Sequence, residues 1–198
     1  MKIHDCPILF NLPNALSLSR IMTPPLLLYI AWSDRPRLFL FFLVCSLMTD
    51  VLDGFLARKR KEESELGAKL DSWGDFVIYM TLPICAWWLW PDLIRHEASY
   101  VILVIASYLT PIIFAFLKYR WLTSYHTWGA KLTSVFISVG TVLLLGFGMV
   151  WPFRIAAMVL ALSAVEEIAI TVTLREWQSN VPSFWHAIQS TRQRNTNI

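Results

Sequence analysis

Six stretches of this chain, roughly 12–33, 37–58, 68–90, 98–118, 131–151 and 153–174, are apolar runs. Each is close to the ~20 residues that cross a bilayer as a helix. The runs are too long for strands and lack two-residue alternation. A soluble bundle would need a polar face on each helix, and the last three runs have almost none. The composition agrees. Of the 198 residues, 56% are hydrophobic and 16% charged, whereas a soluble domain carries about 25% charged. The chain reads as an all-α integral membrane protein with six transmembrane helices and one membrane domain over 1–198. Residues 1–11 form a juxtamembrane segment, 12–174 the six-helix core, and 175–198 a cytosolic tail.

The separators carry turn signals: "SDRPR" between the first two runs, "WPDLIRHEA" between the third and fourth, and "WPFR" between the last two. Lys and Arg set the orientation. With the N-terminus in the cytosol, that side carries Lys2, Arg58, Lys59, Arg60, Lys61, Lys118, Arg120 and Lys131, and Arg175, Arg192 and Arg194 of the tail. The far side carries Arg35, Arg37, Arg95 and Arg154. Tryptophans fit both interfaces, with Trp32, Trp87, Trp88, Trp90 and Trp151 on the far face. Residues 1–11 fit either a short surface helix ending before Pro13 or a frayed tail. They lack an apolar core with a small-residue cleavage site, so no removable signal peptide is expected. Cys6, Cys45 and Cys85 form no CxxC and no disulfide framework.

Charge concentrates in one stretch, "DVLDGFLARKRKEESELGAKLDSWGD", residues 50–75. Asp50 and Asp53 are three apart, and Asp71 and Asp75 four apart, so on helices each pair shares a face. A short connection makes the two helices antiparallel neighbours whose carboxylates can converge. The apolar part of the second run, residues 38–49, covers only about 18 Å as a helix, short of a ~30 Å hydrocarbon core. The aspartates therefore belong below the cytosolic surface, in a polar cavity open to the cytosol. Four carboxylates cannot all ionise there without compensation. Divalent cations supply it, and oxygen-only ligands suit Mg²⁺, Mn²⁺ or Ca²⁺. Acids solvated at an interface would explain one pair more readily than four carboxylates at this spacing. Gly54, Ala57, Gly67, Ala68 and Gly74 are small enough for a ligand to approach the backbone, though small residues also serve helix packing. Arg58 can meet phosphate as a bidentate fork.

The whole pattern, D-x2-D-G-x2-A-R-x8-G-x3-D-x3-D, resembles that of the CDP-alcohol phosphotransferase (CDP-alcohol phosphatidyltransferase) family, in its bacterial phosphatidyltransferase form. All eight fixed positions match: Asp50, Asp53, Gly54, Ala57, Arg58, Gly67, Asp71 and Asp75. The resemblance implies a six-helix fold, usually a homodimer, that joins an alcohol to a phosphate carried by CDP and releases CMP. It implies that Asp50, Asp53, Asp71 and Asp75 hold two Mg²⁺ or Mn²⁺ ions, with Asp75 also the general base. Gly54, Ala57, Arg58 and Gly67 would form the nucleotide pocket. "NLPNALSLSR" resembles an N-x-x-[ST]-x-x-R start, which assigns Asn14, Ser17 and Arg20 to the donor phosphate. Members with a phosphorylated acceptor carry basic residues near the start of the fifth helix, where this chain has His126 and Lys131; Lys131 is the candidate acceptor-phosphate contact. Members that use glycerol 3-phosphate often continue as D-P-x-A-D-K, where this chain has "DSWGDF".

The implied reaction is phospholipid biosynthesis in a bacterial cytoplasmic membrane, with the active site facing the cytosol and no nucleic-acid partner. Phosphatidyl passes from CDP-diacylglycerol to a polar alcohol such as glycerol 3-phosphate. Inositol, inositol phosphate, or a CDP-linked head group with a diacylglycerol acceptor are alternatives. A divalent-cation transporter would explain the aspartates but not the Gly-Ala-Arg pattern. Glu166 and Glu167, inside the sixth run, need partners at such depth, and Arg20 or Lys131 could supply one. A structural ion pair between helices is the simpler reading for at least one of them.

Overall fold

In a computed structural model the backbone is described for residues 12–60, 65–119 and 128–173, and side-chain surroundings for 22–49, 74, 76–118 and 132–172. The described residues form helices and no strand: α1 (Leu12–Trp32), α2 (Pro36–Arg60), α3 (Glu65–Leu89), α4 (Pro91–His96), α5 (Ala98–Tyr119), α6 (Trp128–Phe147) and α7 (Val150–Thr173). Two of them, over Ala98–Lys118 and Val150–Val172, are long and apolar enough to cross a membrane. Shorter apolar stretches lie at Met22–Trp32, Pro36–Thr49, Phe76–Leu89 and Leu132–Phe147. The expected surface helix over 1–11 and the tail over 175–198 lie outside the described residues.

The chain divides into two compact units, Met1–Pro91 and Asp92–Ile198. In the first, α1 packs against α3 and α2. Leu27 and Ile30 of α1, Phe39 and Leu43 of α2, and Cys85 and Ala86 of α3 are buried. Asp34 ends α1 at a φ of 51°, a left-handed conformation that Asp tolerates better than most residues. Its N–H bonds the Ala31 carbonyl at 3.1 Å, and the Arg35 N–H reaches Ile30 at 3.4 Å, the two bonds of a Schellman ending. Pro36 then opens α2, where a missing N–H costs nothing. At this end Trp32 meets Trp88 edge-to-face at 5.7 Å, and Phe39 meets Trp90 at 5.9 Å.

In the second unit, α7 packs against α5 and α6. Gly140 of α6 permits a close crossing: a Cβ there would lie 3.0 Å from the Phe153 Cα and 3.2 Å from the Pro152 carbonyl oxygen. Ala156 and Ala157 continue the buried face. The outward face is apolar, with Ile102, Leu117, Leu162 and Val165 largely exposed, as lipid contact requires.

Two connections differ from the sequence reading. "WPFR" is not the turn between the last two long helices; those residues lie in the first turns of α7. The turn is at Gly148, whose φ of 66° suits a residue without Cβ. Its N–H bonds the Leu144 carbonyl at 3.0 Å, and the Met149 N–H reaches Leu143 at 3.1 Å. Pro152 fits inside α7 because first-turn N–H groups have no intrahelical partner. Likewise "WPDLIRHEA" contains α4, begun by Pro91, with Asp92 in its first turn and Arg95 and His96 in its last, charges that complement the helix dipole.

Candidate active site

Helix α2 does not stop where its apolar stretch stops. It runs unbroken from Pro36 through Thr49 and on to Arg60. Asp50, Asp53, Gly54, Ala57 and Arg58 therefore belong to one continuous helix. Thr49 adds no free hydroxyl there, because its Oγ1 donates to the Cys45 carbonyl at 2.8 Å. In the same way α3 begins at Glu65, ahead of its apolar stretch at Phe76. Gly67, Asp71 and Asp75 lie in that leading segment, and Gly74 beside Asp75 is buried. The helical spacing expected for both aspartate pairs is thus present in the backbone. The side chains of Asp50, Asp53, Asp71, Asp75 and Arg58 lie outside the described residues.

The donor set fits the divalent ions expected of it. Four carboxylates at i, i+3 and i, i+4 on continuous helices present hard oxygen ligands, the chemistry of Mg²⁺ and Mn²⁺. Asn14, Ser17 and Arg20 follow one another by three within α1, the helix packed against α3 and α2. Pro24 and Pro25, inside α1, remove the N–H groups that would bond the carbonyls of Arg20 and Ile21. The side chains of these three residues also lie outside the described residues, as do His126 and the side chain of Lys131. Lys131 itself falls in the first turn of α6.

Lys118 has a more specific place than the interfacial anchoring expected of it. Its Nζ donates to the carbonyls of Thr171 at 2.6 Å and Val172 at 3.0 Å. It so satisfies carbonyls that the last turn of a helix leaves open, with a positive charge at the negative end of the dipole. Glu166 and Glu167 are both half-buried in α7. The pairing with Arg20 or Lys131 considered for them involves side chains outside the described residues.

Sequence reading missed one ionic feature. Glu97, between α4 and α5, is 1% exposed and receives a two-pronged contact from Arg154 of α7. Nε donates to Oε2 at 2.8 Å and Nη2 to Oε1 at 2.6 Å. Arg154 also lies over the rings of Tyr100 and Trp151, 5.2 and 5.6 Å from their centroids. The signal was an acid just before one long apolar run and an Arg at the start of another, both at the far side. Hydrogen bonding to Arg154 holds the Glu97 carboxyl below its ordinary value of 4.5, against the opposing effect of burial. A lowered folded pKa means that the stabilisation is complete above the ordinary glutamate range and is lost as pH falls through it and below. Glu97→Gln is therefore expected to lower the melting temperature in detergent at pH 7, with the gap to the parent narrowing on acidification. A constant gap down to pH 3 would refute this.

A family model described as CDP-alcohol phosphatidyltransferase matches residues 10–173. The chain is 39% identical over 67 residues to a CDP-diacylglycerol–glycerol-3-phosphate 3-phosphatidyltransferase of Aquifex aeolicus, covering 34% of this chain and 38% of that protein. It is 32% identical over 119 residues to a cardiolipin synthase (CMP-forming) of Rattus norvegicus, covering 60% of this chain and 38% of that protein. A third relative, a cardiolipin synthase (CMP-forming)/mitochondrial hydrolase fusion protein of Schizosaccharomyces pombe, is 35% identical over 77 residues, 39% of this chain and 13% of that protein. The chain thus spans less than two thirds of the length of these relatives. No solved structure matches it. The matched region takes in every described helix from α1 to α7 and the complete aspartate motif, and on that ground the chain belongs to the CDP-alcohol phosphatidyltransferase family.

Proposed function

We propose that this protein makes phospholipid by transferring phosphatidyl from CDP-diacylglycerol to a polar alcohol, glycerol 3-phosphate first among candidates, with release of CMP. One observation carries the reading: all eight fixed positions of the motif fall on α2 and α3, which continue as helices beyond their apolar stretches. The relatives named as glycerol-3-phosphate phosphatidyltransferases support the choice of acceptor. In this reading the chain crosses the membrane six times, works as a homodimer, and opens its site to the cytosol.

Asp75 accepts the proton of the acceptor hydroxyl. The hydroxyl oxygen then forms a bond to the phosphatidyl phosphorus, the bond from that phosphorus to the CMP oxygen breaks, and CMP leaves with the electron pair. Gly54, Ala57 and Gly67 leave room for the nucleotide against the helix backbones, and Arg58 grips phosphate. Asn14, Ser17 and Arg20 contact the donor phosphate. Asp50, Asp53, Asp71 and Asp75 would hold two Mg²⁺ or Mn²⁺ ions, which neutralise pyrophosphate charge when bound. The relatives named as cardiolipin synthases favour a second acceptor, a glycerol hydroxyl carried on a phospholipid.

Lys131 separates the two acceptors. A phosphomonoester brings about two charges to a site already rich in carboxylates and needs a cation of its own. A charge-assisted contact is worth roughly 1.5–3 kcal/mol. Lys131→Ala should therefore raise the KM for glycerol 3-phosphate ~10- to 100-fold and leave that for CDP-diacylglycerol unchanged. Lys118→Ala, which removes the tie to α7, should lower thermal stability without moving either KM. Equal effects of the two substitutions on the acceptor KM would refute the phosphate role. The function is tested with purified protein, CDP-diacylglycerol, and a panel of glycerol 3-phosphate, phosphatidylglycerol and inositol, scored by CMP and by lipid product. CMP and a new phospholipid with one of these alcohols are expected, and neither product with any of them would overturn the reading.

A further inference from the structure

Helices α6 and α7 are joined by the turn at Gly148 and pack antiparallel along one stripe of each. On α6 the stripe is Thr133, Ile137, Gly140 and Leu144, all buried, at the intervals of four and three that keep one helix face. On α7 it holds Phe153, Ala156 and Ser163, also buried, and Glu167 continues it one turn beyond Ser163. Glu166 lies 100° away, toward the exposed side of Leu162 and Val165.

The crossing at Gly140, against the backbone of Pro152 and Phe153, fixes what is level with what. Eleven residues back along α6 from Gly140 is Gly129, and eleven forward along α7 from Phe153 is Ala164. Both helices rise by the same ~1.5 Å per residue, so these two positions are level. Glu167 stands one turn farther on, and helical side chains lean toward the N-terminus of their own helix. That lean carries its carboxylate back to the level of the first turn of α6. There the α6 stripe continues as Gly129 and Ala130, which add almost no side chain between the two backbones.

Each partner needs the other. The first four N–H groups of a helix have no intrahelical acceptor, and a cap residue accepts from only one or so of them. The first turn of α6 has no acidic residue of its own and contains Lys131, a cation at the positive end of the helix dipole. Glu167 is half-buried in an apolar helix, where a carboxylate is costly unless met. The charge acting on it among the described residues is that of another acid, Glu166. At the opposite end of α7, Lys118 closes the open carbonyls of Thr171 and Val172 in the same manner.

We infer that Glu167 is a positioning residue, whose carboxylate accepts hydrogen bonds from the open N–H groups of the first turn of α6 and so fixes the turn that carries Lys131. The contact lies wholly within the second unit. Its bearing on the reaction rests on the acceptor-phosphate role proposed above for Lys131.

The test is hydrogen–deuterium exchange of the purified full chain in detergent, without substrate, followed by acceptor kinetics. In Glu167→Ala the amides of Trp128–Lys131 should exchange ~10-fold faster than in the parent, the size of a lost cap, with α5 and the rest of α6 unchanged. Glu167→Gln keeps the shape and one accepting oxygen, and should recover most of the protection; it also serves if the Ala variant does not fold. The KM for glycerol 3-phosphate should rise in Glu167→Ala and that for CDP-diacylglycerol should not. Adding Glu167→Ala to Lys131→Ala should then raise the acceptor KM no further. Unchanged exchange at the start of α6 in both variants would overturn the inference, as would faster exchange spread evenly over α5, α6 and α7. An acceptor KM that follows Lys131→Ala but not Glu167→Ala would overturn the positioning role. Faster local exchange with an acceptor KM indifferent to Lys131 would leave the contact standing and overturn the Lys131 reading.

Discussion

Asp75→Asn should keep nucleotide affinity and lose transfer on the order of 10²-fold or more, the range for removing a general base. An amide has the size of the carboxyl and one oxygen for a metal contact, but it cannot take the proton of the attacking hydroxyl. The loss should appear in kcat, with the KM for CDP-diacylglycerol nearly unchanged. Asp50→Asn should differ in kind, weakening nucleotide and divalent-ion binding together, because its proposed role is ligation alone. The contrast is read from CMP release beside equilibrium binding of a CDP analogue to each variant. If Asp75→Asn turned over at the parent rate, another residue would have to be the base.

The second large effect is metal dependence. In the proposed site, the four carboxylates of the trailing segment of α2 and the leading segment of α3 would repel one another unless cations lay among them. Excess chelator should abolish CMP release, and Mg²⁺ or Mn²⁺ should restore it. Ca²⁺ should bind and restore less, since its longer bonds and looser coordination make a poorer clamp on a phosphoryl group. Full turnover in excess chelator would contradict the two-ion reading of Asp50, Asp53, Asp71 and Asp75.

The long helices were legible in the sequence because one signal dominates in lipid. The run from Leu38 to Thr49 admits little but a helix, and Pro36 marks where that helix starts. The second segment was read over 37–58 and α2 spans Pro36–Arg60, so the helix that carries Asp50 to Arg58 was legible as well. The turn at Gly148 was misplaced because Pro152 is the stronger breaker in a sequence, although proline is harmless in a first helical turn. Helix α4 was hidden by its length, despite Pro91 at its start and opposite charges at its ends.

The site was legible to a different degree. The aspartate motif shows itself by spacing, since three and four are helical intervals, and its positions fall on α2 and α3. The Glu97–Arg154 pair did not show itself, because its partners are 57 residues apart and only packing unites α7 with the start of α5. The tie from Lys118 to the end of α7 was invisible for the same reason. Positive-inside bias explains a lysine at that depth, and nothing local says that its ammonium meets two backbone carbonyls.

The most direct measurement of the central claim is the stoichiometry of the reaction. Purified protein in mixed micelles should convert CDP-diacylglycerol and glycerol 3-phosphate, with Mg²⁺, into CMP and a phosphatidyl product in equal amounts. Both should vanish when the alcohol is omitted. CMP without a lipid product, or no CMP with any alcohol but a flux of divalent cations into vesicles carrying the protein, would contradict it.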